Sequence, residues 1–297
     1  MRVWADGTGM KTSLDLGLEN GEERVAAVDE LIRSAQAYHT PAALRALLEF
    51  TRRLPAYSPF NCLLLHLQNP EVTFVAPPDK WRKLGRSLRA GARPWVILAP
   101  MHPVMFVFDV ADTEGAELPP EVRRVLTPSF SVKGEVSLVV WNRLLRACAR
   151  AGILVESVAL ARDLAGDIGR TNGGFRVRLN EQHSLTQKFA TLAHELGHLF
   201  CGHLGGISPQ GGPSNRMALS LPGRELEAEA VAWLVCQRCQ IWPASARYLS
   251  GHFAPGSELP EYSLEALLVA AGAVEQMIRG RVPTWLKRNE PPRRQSR

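Results

Sequence analysis

The chain has 297 residues, of which 45% are hydrophobic and 22% are charged. This length can bury one or two sizeable cores, and the mix is that of a soluble globular protein. It excludes a membrane-spanning protein, because no apolar run approaches the length of a membrane helix. The first residues lack a basic stretch followed by an apolar core, so we expect no secretory signal, no membrane partner and a cytoplasmic location. The odd count of five cysteines favours reduced thiols.

The N-terminal part of the sequence predicts a small α+β unit. Apolar residues at helical spacing predict a helix from Glu22 to Thr51, with a break inside it, and another from Phe60 to Gln68. Extended segments follow at Thr73–Ala76, Trp95–Ala99 and Val104–Val110, and the last two are separated by a proline-containing turn as in a hairpin.

A basic cluster lies between the first two extended segments. Asp79 is the only acid among its cations, which are Lys80, Arg82, Lys83, Arg86, Arg89 and Arg93. Three aromatic residues, Phe74, Trp81 and Trp95, are interleaved with them. Cations neutralise phosphates and flat rings stack on unpaired bases, so the cluster predicts binding of single-stranded nucleic acid, with Trp81 as a stacking ring. The same spacing also fits rings that pack in a core.

A segment of linker composition, from Asp112 to Pro120, ends this first unit. It predicts two domains, residues 1–125 and 126–297. The second begins with a helix from about Val136 to Ala151, continues through strands near Val155 and Phe175, and ends in a basic tail.

The motif His194-Glu195-Leu196-Gly197-His198 carries the chemistry of the second domain. Four residues overshoot one helical turn by only about 40°, so both imidazoles leave one face of a helix and can bind one metal ion. The glutamate beside the first histidine reaches a water molecule and acts as general base, as in zinc hydrolases. Neutral imidazole suits Zn²⁺, although other divalent ions such as Mn²⁺ or Co²⁺ also fit such a site.

A third protein ligand is needed, and two glutamates downstream are candidates. Glu225 and Glu229 lie on one face of a predicted second helix, while Glu227 points elsewhere. We favour Glu225 as the ligand and Glu229 as the residue that orients a ligand histidine. His203 follows the second motif histidine at the wrong spacing for a metzincin ligand, so we expect it to be structural.

Substrate contacts are harder to assign from the sequence. Phe175–Leu179 is predicted to be an edge strand that aligns an extended peptide by backbone pairing. Tyr248, His252 and Tyr262 are alternative donors to the oxyanion, and the sequence does not choose among them.

Several N-terminal motifs resemble the N-terminal domain of the ArdC antirestriction proteins. They are Ser58-Pro59-Phe60-Asn61, Trp81-Arg82-Lys83-Leu84-Gly85-Arg86, Phe108-Asp109-Val110 and Thr113-Glu114-Gly115. The resemblance implies a plasmid-borne protein whose N-terminal domain binds single-stranded DNA and which shields incoming DNA from restriction during conjugation.

The segment from Phe189 to His198, together with Glu225-Leu226-Glu227-Ala228-Glu229, resembles the C-terminal metallopeptidase domain of that family, which is similar to the ImmA and IrrE peptidases. This resemblance implies a zincin-like fold of the gluzincin type and a protein substrate. In ImmA-like peptidases the position of Glu229 is usually Asn or Asp, so both glutamates stay candidates for the ligand. Two alternatives remain, a regulatory peptidase that cleaves a repressor and a non-catalytic DNA-coating protein with a structural metal.

Overall fold

The computed structural model describes residues 38–99, 104–120, 134–206, 212–241, 249, 251–254 and 256–286. Its fold is α+β, as predicted, and the chain divides into two compact units. The first is built around Glu49–Phe130, and the second around Ser131–Arg297, to which His39–Leu48 also belongs. No helix among the described residues is long and apolar enough to cross a membrane. All five cysteines are free thiols.

The first unit combines short helices with two small antiparallel sheets. Its described helices are α1 (Pro41–Arg53, of which only the end belongs to this unit), α2 (Pro59–Gln68) and α3 (Pro78–Lys83). Its strands are β1 (Val75–Ala76), β2 (Arg86–Leu88), β3 (Trp95–Leu98), β4 (Val104–Asp109) and β5 (Thr113–Gly115). One sheet has the order β1-β4-β3 and the other pairs β2 with β5.

Strand pairing in this unit partly follows the sequence. The segments predicted as a hairpin do pair, with Trp95 opposite Val107, although the turn between them lies outside the described residues. The linker prediction is wrong at its start, because Thr113–Gly115 forms β5 and pairs with β2. Alternate residues of β4 pack in different clusters, since Val107 contacts the core around Phe50 while Phe108 contacts the one around Trp81.

Besides most of α1, the described residues of the second unit form four helices and one three-stranded sheet. The elements in chain order are α4 (Leu138–Arg150), β6 (Ile153–Val158), β7 (Gly166–Thr171), β8 (Gly174–Asn180), α5 (Leu185–Phe200), α6 (Leu221–Arg238) and α7 (Leu264–Ile278). The strand order is β6-β8-β7, in which β8 is parallel to β6 and antiparallel to β7. The prediction that Phe175–Leu179 forms an edge strand is therefore wrong, because β8 is the central strand.

Serine residues define where the helices of the second unit begin. Ser137, Ser184, Ser220 and Ser263 precede α4, α5, α6 and α7, and each side chain accepts a hydrogen bond from a backbone N–H of the first turn. At α5 the Gln187 side chain also accepts from the Ser184 N–H, which completes a capping box. The start of the motif helix is thus encoded locally.

Candidate metal centre

The two motif histidines and Glu225 converge on one point. The Nε2 atoms of His194 and His198 lie 3.1 Å apart. Glu225 places Oε2 at 3.4 Å from the Nε2 of His194 and Oε1 at 3.5 Å from the Nε2 of His198. These are the atoms with which histidine and carboxylate bind a divalent cation, and they come from two helices.

A close contact between α5 and α6 brings the three side chains together. Gly197, inside the motif, lies against the backbone of Ala228, and a Cβ atom at Gly197 would come within 3.1 Å of the Ala228 Cα. Any side chain at Gly197 would therefore push α6 outward. Glu225 lies almost one turn before Ala228 on α6, so this contact sets its height relative to the histidines.

The two histidines of the cluster have pKa values shifted in opposite directions. Burial lowers the pKa of His198 far below its usual value, and the charge of His194 lowers it further. Burial also opposes a charge on His194, but its hydrogen bond to Glu225 and the nearby carboxylates outweigh burial and raise the pKa of His194. The hydrogen bond from His194, and the charges of His198, His194 and His203, lower the pKa of Glu225 despite its burial. This donor set fits a divalent cation.

Glu195 lies beside the cluster and is only 7% exposed. Burial raises its pKa to about 7; His194 opposes this rise, and the negative charge of Asp167 adds to it. A carboxylate with a pKa near neutrality can both take up and release a proton under physiological conditions. Asp167 belongs to β7, so this strand is close to the motif helix.

Strand β7, rather than β8, is the sheet edge on the side of the site. Gly166 of β7 packs so closely on α5 that a Cβ atom there would come within 2.6 Å of the Thr191 side chain. Arg170 of the same strand donates to the carbonyl oxygens of Leu204 and Gly206, which ties β7 to the loop after α5. Of the two edge strands of this sheet, β7 is therefore the one beside the motif helix.

Glu229 lies apart from the convergent atoms. Its Oε2 accepts a hydrogen bond from the backbone N–H of Leu249 at 3.2 Å and is 3.7 Å from the Nε2 of His252. Its charge contributes to raising the pKa of His194, after the larger effects of Glu225 and Glu195. Of the two candidate glutamates, the structure brings Glu225 to both histidines. The predicted role of Glu229 in orienting a ligand histidine stays a prediction.

A buried network behind His198 was not foreseen from the sequence. The Nδ1 atoms of His198 and His203 lie 2.9 Å apart, and the Nε2 of His203 is 2.8 Å from Glu227 Oε2. Arg216 donates to both carboxylate oxygens of Glu227, at 2.5 and 2.6 Å. Burial opposes the charge of Glu227, but the hydrogen bonds from His203, Arg216 and the Ser263 N–H lower its pKa. The available signal in the sequence was Glu227, an acid two positions after Glu225 that points to a different helix face and has an apolar neighbour on each side.

The candidate oxyanion donors differ in accessibility. Tyr248 lies outside the described residues. Tyr262 is buried, its ring packs edge-on against His39, and burial raises its pKa. His252 is half-buried beside Glu229, so it is the more accessible of the two described candidates.

The basic cluster of the first unit has a different character. Trp81 is 0% exposed and its Nε1 donates to the Phe108 carbonyl oxygen at 3.0 Å. The prediction that this ring stacks on a base is wrong, because the indole is part of the core. Phe74 is buried edge-on against it. Trp95 on β3 is half-buried and is the most accessible of the three rings.

The cations of the cluster differ in what their side chains contact. Arg86 donates to the Thr113 hydroxyl and to the carbonyl oxygens of Thr113 and Ala116, so we assign it a structural role. Arg82 pairs with Asp79 on the surface, and Lys80 lies over the Phe74 ring. The remaining three cations are also exposed: Lys83, Arg89 and Arg93. Of these, Arg89 donates from its Nε to the Thr113 carbonyl oxygen.

One protein-family model matches most of the region around the metal centre in the second unit. Residues 148–252 match the family model described as the IrrE N-terminal-like domain. This range contains the motif helix, Glu225 and the His203–Glu227 network. The second unit therefore carries an IrrE-like domain, and the predicted resemblance to IrrE peptidases is confirmed.

Two crystal structures of the antirestriction protein ArdC from the R388 plasmid are also similar to the chain. The metal-free structure is 15% identical with a TM-score of 0.37, and the match covers 75% of this chain and 86% of that one. The Mn(II)-bound structure is 16% identical with a TM-score of 0.38, with 77% and 90% covered. They belong to the family that the sequence motifs resemble. No curated protein sequence matches the chain.

Proposed function

We propose that the second unit is a metal-dependent peptidase. The observation that carries this proposal is the convergence of His194, His198 and Glu225 beside buried Glu195, within the region that matches the IrrE-like family model. These three side chains would hold a divalent ion, for which we propose Zn²⁺, with Mn²⁺ or Co²⁺ as substitutes. When bound, the ion supplies Lewis acidity toward a peptide carbonyl and makes a water molecule more acidic.

The side chains of the unit account for the remaining chemistry. Glu195, buried beside the metal-binding histidines, takes a proton from the attacking water and passes it to the leaving amine nitrogen. The outer edge of β7 aligns an extended segment of a protein substrate by backbone hydrogen bonds. His252 donates a hydrogen bond to the carbonyl oxygen as its negative charge develops.

Fluorescently labelled casein, denatured and incubated with the Zn²⁺-loaded protein, tests this activity. We expect the wild type to cleave it and Glu195→Gln to lower the rate by roughly 10²–10⁴-fold while the metal content stays the same. Glu156→Gln, which changes an acid on β6, is the matched control and should leave the rate unchanged. Equal rates for wild type and Glu195→Gln would contradict the proposed base.

We further propose that the first unit binds single-stranded DNA through its exposed cations. Lys83, Arg89 and Arg93 supply phosphate contacts, and the half-buried ring of Trp95 replaces Trp81 as the surface on which a base stacks. The support is the coincidence of these cations with a ring that is only partly buried against the core, in one short segment. Lys80 and Arg82 add positive charge, although both already have partners.

Salt dependence tests the DNA proposal with a 20-nucleotide oligothymidine as the probe. For single strands, log Kd changes with log salt by roughly 0.7 per phosphate contact, so the triple variant Lys83→Glu, Arg89→Glu, Arg93→Glu should lower the slope by about 2. The control reverses three exposed cations of the second unit, Arg143, Arg146 and Arg162. An unchanged slope in the first triple variant, or equal affinity of the wild type for duplex DNA, would contradict the proposal.

Together these activities fit an antirestriction protein that protects incoming plasmid DNA during conjugation. In a conjugation assay with a restricting recipient, we expect both Glu195→Gln and the first triple variant to lower plasmid recovery. A loss of plasmid recovery in the triple variant, with normal recovery in Glu195→Gln, would favour a non-catalytic DNA-coating protein with a structural metal.

The second candidate is a regulatory peptidase of the ImmA kind that cleaves a repressor. The match of the IrrE-like family model to the second unit, together with the burial of Trp81 in the first, favours it. If the protein is such a peptidase, the triple variant should still cleave the repressor at the wild-type rate, whereas Glu195→Gln should abolish cleavage.

A further inference from the structure

His203 is placed against His198 by the turn that ends the motif helix. The His203 N–H donates to the His198 carbonyl oxygen at 3.0 Å, and Gly202 between them has a φ of +81°. A Cβ atom at Gly202 would come within 2.0 Å of the Ser214 carbonyl oxygen, so only glycine fits this turn. The backbone thus folds the His203 ring back onto the side of His198 that faces away from Glu225.

With a cation at the metal centre, the hydrogen bonds of this network allow one consistent arrangement of protons. The Nε2 of His198 points toward His194 and Glu225 and must present a lone pair to a cation, so the proton of the neutral ring is on Nδ1. His198 Nδ1–H therefore donates to the Nδ1 of His203. The proton of His203 is then on Nε2, which donates to Glu227 Oε2 at 2.8 Å.

Glu227 ends this chain of hydrogen bonds as a fixed acceptor. Its side chain is 0% exposed. Oε2 accepts from His203 and Arg216, and Oε1 accepts from Arg216 and from the Ser263 N–H at 2.6 Å. Four donors hold the carboxylate in one orientation, and the guanidinium of Arg216 balances its charge in the interior.

We propose that His203 and Glu227 are positioning residues of the metal centre, which fix the tautomer and ring orientation of His198. This proposal rests on the proposed metal-binding function of His194, His198 and Glu225. Hydrogen bonding of the remote nitrogen keeps the metal-facing nitrogen free of a proton and aimed at the ion, so metal affinity depends on residues that do not touch the metal.

A second metal site is the competing explanation for the same side chains. Cys201, His203 and Glu227 also have potential ligand atoms within 4.8 Å of one another, and all three are buried. Arg216 argues against it, because its guanidinium already occupies both oxygens of Glu227. A second cation there would add positive charge in the interior beside the guanidinium.

Cobalt binding to the full chain tests the proposal, with Co²⁺ alone as the probe. His203→Leu removes the acceptor for His198 Nδ1–H, and we expect it to weaken Co²⁺ binding by roughly 10–100-fold and to change the visible spectrum of the bound ion. His203→Gln offers an amide oxygen to the same proton and should recover most of the affinity and the spectrum. Glu227→Gln should weaken binding, and combining it with His203→Leu should weaken it less than the product of the two effects.

Glu275→Gln is the matched control, because it also removes a buried carboxylate paired with an arginine, but on α7. It should keep the wild-type dissociation constant and spectrum, so loss of stability alone does not imitate the expected result. Wild-type affinity and spectrum in His203→Leu would overturn the proposal. Two cobalt ions in the wild type, with only the second lost in His203→Leu, would also overturn it in favour of a second site. A wild type that binds no Co²⁺ would instead overturn the metal centre itself.

Discussion

The buried charged residues of the second unit and the basic cluster of the first differ in how they use their charges. In the second unit Glu195, His203, Glu227, Arg238 and Glu275 are buried. In the first unit the cations of the basic cluster are mostly exposed, while two of its aromatic rings fill the core. A buried charge must be paired and therefore has one position, whereas an exposed charge is screened and contributes mainly to a surface potential. Single substitutions should accordingly act strongly on the second unit and weakly on the cationic surface of the first.

Replacement of a metal ligand should give the largest effect. We expect Glu225→Gln to weaken Zn²⁺ binding by more than about 100-fold, because it removes a direct ligand, while Glu229→Gln weakens it by less than about 100-fold as a neighbouring group would. Calorimetric titration of both variants measures this difference. A larger loss in Glu229→Gln would transfer the role of ligand to Glu229.

Ion pairs in the two units should differ in their contribution to stability. The Arg238–Glu275 side chains are 2% and 7% exposed, whereas Arg82 and Asp79 are 72% and 76% exposed. Glu275→Gln removes the charge that faces the buried Arg238 guanidinium and should lower the free energy of unfolding by about 3–5 kcal/mol. Asp79→Asn should lower it by less than about 1 kcal/mol. Urea denaturation of each variant measures these values, and similar losses would contradict the comparison.

Trp81 provides the test of the corrected assignment in the first unit. Trp81→Ala should lower the free energy of unfolding by about 3–5 kcal/mol through the cavity that it leaves. Trp95→Ala, at a half-buried ring, should cost less stability but lower the affinity for oligothymidine, by about 1–3 kcal/mol if a base stacks there. Trp81→Phe, which keeps most of the core, should leave DNA affinity unchanged. Loss of DNA affinity in Trp81→Phe without loss of stability would restore Trp81 as a stacking ring.

The smallest effect concerns His66, a partly buried histidine of the first unit. Burial, followed by the charge of Arg53, lowers its pKa from 6.5, and its Nδ1 lies 2.5 Å from the Tyr38 hydroxyl. The folded state therefore binds this proton more weakly than the unfolded state does. The resulting stability is present above pH 6.5 and is lost as pH falls through the folded pKa. Urea midpoints between pH 7.5 and 5.5 should fall less in His66→Gln than in the wild type, and His39→Gln, at an exposed residue, is the control.

Local signals in the sequence predicted the motif helix well. The four-residue spacing of His194 and His198 predicted one helix that carries both, and both lie in α5, Leu185–Phe200. The helix face that Glu225 shares with Glu229 made both of them candidate ligands, and Glu225 does approach the two histidines. These features depend on residues within a few turns of one helix, where side-chain direction follows directly from spacing.

Features that depend on packing between distant segments were not predictable in this way. Strand β7, Gly166–Thr171, has two glycines and no apolar alternation, so its edge position was missed and assigned to β8 instead. Burial of Trp81 depends on β4, whose Phe108 carbonyl accepts its N–H from 27 residues away. The role of His203 depends on Glu227, which is 24 residues further along the chain.

Because the contact at Gly197 brings the candidate ligands together, the stability of the folded second unit should depend on the supply of metal. The three candidate ligands belong to two helices, and their atoms converge only when α5 and α6 are in contact. An ion that binds the folded state alone stabilises it by about 2.7 kcal/mol when its free concentration is 100 times the dissociation constant. A cell poor in the ion would therefore contain less of the folded second unit, and its abundance would rise and fall with the metal before any peptide bond is cleaved.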